Sequence, residues 1–165
     1  MASPPPPPQD SAELLRRLLD AQVELVLIRG VAAITWGSQH LTKDLDVTAP
    51  FTVENIAKMM SVIRPLEPRF YQTYGKPPVT RTDEDLATFF NLYFQTSLGI
   101  VDVLSKVPPI GDYATVAEHA QEIEIFGRKC KVISLDDLIA VKAHVARPKD
   151  KLVEVELRAI RERLK

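Results

Sequence analysis

The segment Leu41-Thr-Lys-Asp-Leu-Asp-Val-Thr48 alternates as a β-strand does, yet it carries two carboxylates, Asp44 and Asp46. Residues two apart in a strand share a face. Asp44 and Asp46 therefore project together, while Leu45 and Val47 point into the core. Two like charges side by side on an apolar strand repel each other and resist burial, and a divalent cation relieves both costs. The pattern recurs at Asp102, where Ile100, Val101, Val103 and Leu104 surround a single charge. With the two strands side by side, three carboxylates would converge on one or two metals. Mg²⁺ or Mn²⁺ fits such a set, since both take hard oxygen ligands and Mg²⁺ keeps positions open for substrate phosphates. Two metals so held would serve in-line phosphoryl or nucleotidyl transfer, one activating the attacking oxygen and the other stabilising the leaving group. For Asp-x-Asp alone, a chance pair of solvated side chains at a strand end is the better reading. Asp102 and a glycine turn upstream, at Gly30, reverse that preference.

Around these charges the chain reads as a mixture of helices and strands. Asp10 or Ser11 caps a first helix with Leu14, Leu15, Leu18 and Leu19 on one face. Residues 24–28 are a short apolar run ending at Arg29-Gly30, a buried strand and then a turn. A short helix over 31–36 stops at Gly37-Ser38. Thr52 or Asn55 opens an amphipathic helix that ends before Pro65. Strands follow at 89–95 and 99–104 with Ser97 in the turn between them. A hairpin joins 123–126 to 129–133 across Gly127-Arg128. Ser134 caps a helix over 135–145, with Asp137 completing a loose capping box. A last helix starts after Arg147-Pro148. This order predicts an α/β (α+β) class, a mixed sheet flanked by helices.

At 165 residues, with 45% hydrophobic and 26% charged residues, the chain suits one domain with a real core. Pro4 to Pro8 favours an extended form, so residues 1–10 are expected to be a disordered tail and 11–165 the domain. A proline-recognising partner is the alternative use of that tail. The net charge of -1 advertises no general affinity for nucleic acid or membrane. No basic n-region and apolar h-region open the chain, and no apolar run reaches the roughly 20 residues that span a bilayer. One cysteine, Cys130, permits no internal disulfide. A cytoplasmic location with no membrane partner is the expectation.

The stretch from Leu25 to Val47, with Arg29-Gly30, then Gly37-Ser38, then Asp44-Leu-Asp46, resembles the opening of the minimal nucleotidyltransferase superfamily. That superfamily has a strand ending in Gly-Gly or Gly-Ser, a short helix, Asp-x-Asp, and a third Asp on a later strand. Gly30 matches the second glycine, with 13 residues before Asp44, and Asp102 fits the third carboxylate. The run from Asp137 to Lys142, followed by Arg147-Pro-Lys-Asp150, resembles the lysine helix and basic-acidic motif of bacterial nucleotidyltransferase-like proteins, including AbiEii-type toxins. The resemblance runs from about residue 12 to 160. It implies a nucleotidyltransferase-like mixed sheet binding a nucleoside triphosphate with Mg²⁺ or Mn²⁺ at Asp44, Asp46 and Asp102. Asp102 would also be the general base for the acceptor. Gly30 would let the backbone approach the triphosphate, Ser38 would shape the nucleotide turn, and Lys142 and Arg147 would contact phosphates. Asp150 would orient one of these bases or help the acceptor group. Two departures stand out: Arg29 replaces the first glycine, and His40 stands where many relatives have arginine. Arg29 either reaches the phosphate or crowds the turn.

Other features carry less. His40, His119 and His144 are too dispersed for a zinc site. Cys130 is either a thiol activated by its lysine neighbours or a buried small hydrophobe. Tyr71, Tyr74, Tyr93 and Phe94 offer faces for a base, although aromatics in strands are usually core. From Lys142 to Lys165 there are eight Lys/Arg against four Asp/Glu. That segment is a solvated helix with ion pairs, or a basic lip for triphosphate or an RNA end. No P-loop and no Gly-x-Ser-x-Gly turn occurs. Two functions follow. The first is a metal-dependent nucleotidyltransferase acting on an acceptor hydroxyl of tRNA or another RNA end, a protein or a small molecule, with a toxin-antitoxin role and a cognate antitoxin partner. The second is a module of the same fold that binds nucleotide or a partner and has lost turnover.

Overall fold

The computed structural model describes residues 9–40 and 44–165. The Pro4 to Pro8 segment and the first three residues of the 41–48 strand lie outside the described residues. Helix α1 (Ser11–Asp20) begins at Asp10, whose side chain accepts from the Glu13 amide at 3.0 Å. Ahead of it, the Gln9 side chain brackets Ile100, accepting from its N–H at 2.7 Å and donating to its carbonyl at 3.0 Å. A Cβ on Gly99 would lie 2.3 Å from the Gln9 amide oxygen, and Gly99 has a φ of +113°. Glycine is thus required there on two counts.

Strand β1 (Val26–Leu27) leads into α2 (Arg29–Thr35), and β2 (Leu45–Thr48) leads into α3 (Val53–Ile63). Thr52 caps α3 by accepting from Asn55 N–H at 3.1 Å. After β3 (Arg69–Phe70) and the single turn α4 (Asp83–Leu86) come β4 (Asn91–Thr96) and β5 (Gly99–Leu104). A small hairpin, β6 (Lys106–Val107) and β7 (Gly111–Asp112), precedes α5 (Tyr113–His119). Then β8 (Gln121–Ile125) and β9 (Arg128–Val132) form a hairpin, and α6 (Leu135–Val145) and α7 (Pro148–Leu164) close the chain.

Seven strands make one mixed sheet in the order β3-β4-β5-β2-β1-β9-β8. Strand β2 runs parallel to β5 and antiparallel to β1, and β1 runs parallel to β9. This is the expected mixed sheet with flanking helices. All four residues of β2 are buried, as a central strand covered on both faces requires. Leu45 and Val47 join Leu92, Phe94, Val101 and Val103 in the core, as the alternation predicts. Helix α1 packs on α3 and against β2, β5 and β9, while α2 packs on β2 and α6, and α6 on α7.

Strand β1 is shorter than the predicted 24–28 because only Val26 and Leu27 pair with both neighbours. Glu24 is instead held by Asn55, which accepts from its N–H at 2.8 Å and donates to its carbonyl at 3.0 Å. Asn55 also donates to the Pro50 carbonyl at 3.2 Å, and only 3% of it is exposed. Replacing the buried Asn55 with Ala removes its bonds to the Glu24 amide and carbonyl and is expected to cost about 2 kcal/mol, read from urea melts. A loss under a few tenths would mean water replaces the amide.

The β8–β9 turn falls one residue earlier than predicted. Phe126 and Gly127 both adopt left-handed backbone, with φ of 54° and 73°, which is what a tight two-residue hairpin needs. Ser134 caps α6 as expected, accepting from Asp137 N–H at 3.1 Å. The Asp137 carboxylate does not complete the box. It turns to His119 Nδ1 at 2.8 Å, and that contact raises the His119 pKa.

Candidate active site

Register does most of the work of building the site. Because β2 and β5 are parallel, Asp46 lies directly beside Asp102. Tyr93 on β4 is the cross-strand neighbour of Asp102 in the same row. Tyr71, one residue past β3, meets Tyr93 edge to face with ring centroids 6.4 Å apart. From there its hydroxyl donates to Asp102 Oδ1 at 2.7 Å. Asp46 and Asp102 are only 6% and 5% exposed. Burial, followed by Coulombic repulsion from Asp102, pushes the Asp46 pKa up to about 7 against the pull of Arg29. Burial likewise raises the Asp102 pKa, though the Tyr71 bond opposes it. Burial and the bond to Asp102 hold the Tyr71 hydroxyl firmly protonated.

One oxygen of Asp46, Oδ1, is buried without a hydrogen-bond donor. The nearest cation is Arg29, whose Nη1 is 3.8 Å away. Arg29 takes the left-handed φ of 59° at the start of α2, a conformation that glycine adopts freely and arginine rarely. The turn that the resemblance assigns to two glycines thus carries its unusual backbone at Arg29, ahead of Gly30.

Asp46 and Asp102 floor a cavity of about 660 Å³. Gly30, Ser38, Asp44, Lys142, Arg147 and Asp150 line it too, so all eight residues singled out from the sequence border one space. They do not form one cluster. Asp44 precedes β2 and is half-buried, and among the described residues no three His, Cys, Asp or Glu side chains stand together as a ready ion site. The chemistry of the donor set does fit a hard divalent cation. Two adjacent buried carboxylates, one with an unsatisfied oxygen, are what such an ion takes.

The same cavity is lined by a second polar group. Asp150 accepts from Arg147 Nε at 2.8 Å and pairs with Lys142 Nζ at 3.4 Å. Burial alone would raise the Asp150 pKa, but the Arg147 bond and the Lys142 charge win and hold it low. Burial lowers the Lys142 pKa in turn, with Asp150 opposing. Ser38 is tied to α7, its hydroxyl donating to Glu156. Glu156 also accepts from the Gln39 N–H at 2.9 Å and contacts His40 Nδ1 at 3.0 Å. These bonds, the Gln39 amide first, lower the Glu156 pKa to about 2.

Sequence reasoning missed the roles of Tyr71 and Glu156. Tyr71 carried a signal only through strand register, and β3 is too short to reveal its own. Phe94 is fully buried core and offers no face to a base, and Tyr74 is fully exposed. Cys130 is the buried small hydrophobe of the two readings, its thiol pushed up to about 11 by burial. Among the described residues no helix is long and apolar enough to cross a membrane.

No protein-family model matches this chain, and no curated protein sequence does. Among solved structures, it is similar to ANT(2″)-Ia in complex with adenylyl-2″-tobramycin. That similarity has a TM-score of 0.53 at 16% identity and covers 93% of this chain and 98% of the other. A candidate nucleotidyltransferase from Thermotoga maritima aligns over 92% of this chain and 91% of its own, with a TM-score of 0.49 and 16% identity. The fold is therefore nucleotidyltransferase-like.

Proposed function

We propose that this chain is a metal-dependent nucleotidyltransferase that moves a nucleotidyl group from a nucleoside triphosphate to an acceptor hydroxyl. The observation that carries the reading is the Asp46–Asp102 pair, in register on adjacent parallel strands and lining the same cavity as Lys142 and Arg147. The neighbour of the same fold, bound to an adenylylated aminoglycoside, supports nucleotidyl chemistry. In this reading Asp46 and Asp102 hold Mg²⁺ or Mn²⁺, with Asp44 as the third ligand. The metal, when bound, neutralises triphosphate charge and supports the developing charge on the leaving group.

The chain's own residues do the rest. Asp102 orients the acceptor hydroxyl and takes its proton, a task suited to a carboxylate whose pKa is raised by burial. Tyr71 fixes the Asp102 carboxyl by donating to Oδ1. Lys142 and Arg147 meet the phosphates, and Asp150 holds both bases in place. Gly30 leaves room for the triphosphate beside α2. Ser38, clamped by Glu156, sets the wall of the nucleotide pocket. The acceptor is the hydroxyl of an RNA end, a protein or a small molecule. The AbiEii-like segment from Asp137 to Asp150 supports a place in a toxin-antitoxin pair, with an antitoxin as partner. A nucleotide-binding module without turnover is the second reading, favoured by the Arg29–Asp46 ion pair.

Incubating the protein with Mg²⁺ or Mn²⁺ and each labelled nucleoside triphosphate separates these readings. Total tRNA, a protein extract and aminoglycosides serve as parallel acceptors. Label transfer lost in Asp46→Asn is the expected result. Transfer that survives the substitution would sink the metal-centre assignment. Metal-dependent nucleotide binding with no transfer to any acceptor would select the module.

A further inference from the structure

We infer that Arg29 is an internal cation that occupies the metal's place beside Asp46 and moves to the triphosphate when the metal–nucleotide arrives. The inference rests on the metal-dependent reading above and adds an order to it: bare metal binds weakly, and metal with triphosphate binds well.

Three observations converge on Arg29. Its backbone sits in the left-handed region, at φ 59°, where a Cβ is unfavourable. Non-glycine residues persist in such a conformation when their surroundings hold them there, and they cluster where function uses the geometry. Its guanidinium is the only ion-pair partner of Asp46 among the described residues, with Nη1 3.8 Å from Oδ1. That same Oδ1 has no hydrogen-bond donor, and 3.8 Å is too long for Arg29 to be one. The contact is therefore a charge held near an oxygen that still has its lone pairs free. A divalent cation entering there must work against a positive neighbour.

Arg29 is also free to leave. Its side chain is 36% exposed whereas that of Asp46 is 8% exposed, and both residues line the cavity. The cavity wall already carries Lys142, Arg147 and Lys149, all cations suited to phosphate. A triphosphate supplies the anion that Asp46 gives up when its charge is taken by metal. The planar fork of arginine pairs with phosphate as readily as with carboxylate. The exchange breaks one ion pair and makes two, with no covalent step.

The test measures the Mn²⁺ retained by the wild-type protein, Arg29→Gly and Arg29→Gln in equilibrium dialysis, as the excess of metal in the protein compartment over the protein-free one. Each series is run alone and with inorganic tripolyphosphate, which carries the phosphate charge without any base preference. Removing one unit charge about 4 Å from the site is expected to tighten bare Mn²⁺ binding roughly tenfold or more in both variants. The enhancement by tripolyphosphate, large in the wild type, should shrink in both. Arg29→Gly relieves the backbone and Arg29→Gln does not, so agreement between them isolates the charge. Equal Mn²⁺ affinity in all three proteins would overturn the role of Arg29 and leave the metal site standing. No Mn²⁺ binding by any of them, with or without tripolyphosphate, would overturn both.

Discussion

Asp46→Asn is expected to abolish nucleotidyl transfer, by about a thousandfold or more, and at the same time to stabilise the metal-free protein at neutral pH. The two effects share one cause. The carboxylate is buried beside Asp102 with one oxygen unsatisfied, an arrangement that helps only when a cation is bound. Its pKa rises from an ordinary 3.8 to about 7 in the folded chain. An acid whose pKa is raised on folding binds its proton more tightly in the native state, so stability falls as pH climbs. The fall begins near the unfolded value of 3.8 and is complete once pH passes about 7. A shift of this size corresponds to something on the order of 4 kcal/mol. Asparagine has no charge to bury, and its amide can donate to Asp102. With a chelator present, the urea midpoints of the two proteins should coincide near pH 4 and separate in favour of the variant by pH 8. A gap that stayed constant across that range would mean the carboxylate's ionisation is not what costs stability. Adding Mn²⁺ together with tripolyphosphate should then raise the midpoint of the wild type well above any effect on the variant.

Much of this architecture is legible from residue patterns, and the boundary of what is legible has physical reasons. Residues 99–104 form β5 as their alternation predicts, because a strand with Val101 and Val103 on one face has one favourable register. The caps at Asp10, Thr52 and Ser134 are where side-chain oxygens meet free amides, which is a local matter. Strands β3, β6 and β7 have two residues each, too few to display a period, and they exist only through their partners. The contact between Asp46 and Asp102 followed from two charged positions in apolar strands, together with the guess that the strands are neighbours. Tyr71 could not be placed that way, since its path to Asp102 runs through the pairing of β3 with β4 and of β4 with β5. Asp44 differs for a related reason. It was expected on the strand beside Asp46, but the ladder starts at Leu45, so no register holds its side chain on the shared face. Lys142, Arg147 and Asp150 came from a resemblance alone. Their meeting depends on the turn between α6 and α7, where Ala146 takes a left-handed φ of 58° that composition does not announce.

Asp150→Ala should be the most destabilising single change in this site, costing about 3–5 kcal/mol at neutral pH. Asp150 is 4% exposed and sits in the first turn of α7, where a negative charge also complements the helix dipole. Its loss strands the Lys142 ammonium, whose side chain is 11% exposed, beside the positive charge of Arg29, with only the more distant Asp46 to favour it. Burial already lowers the Lys142 pKa, and without Asp150 it must fall further. A base whose pKa is lowered on folding binds its proton better when unfolded, so the deficit is full below the lowered folded-state pKa. It should recover as pH rises toward lysine's ordinary 10.5, where the unfolded chain also gives up its proton. The double variant Lys142→Met, Asp150→Leu separates stability from function. Removing both charges and keeping the volume is often neutral or stabilising for a buried pair. Its urea midpoint should therefore return close to that of the wild type. Its affinity for metal-bound tripolyphosphate should stay low, because the lysine that meets the phosphates is gone. A double variant as unstable as the single one would assign the loss to packing around α6 and α7, and one that binds tripolyphosphate normally would remove Lys142 from the phosphate site.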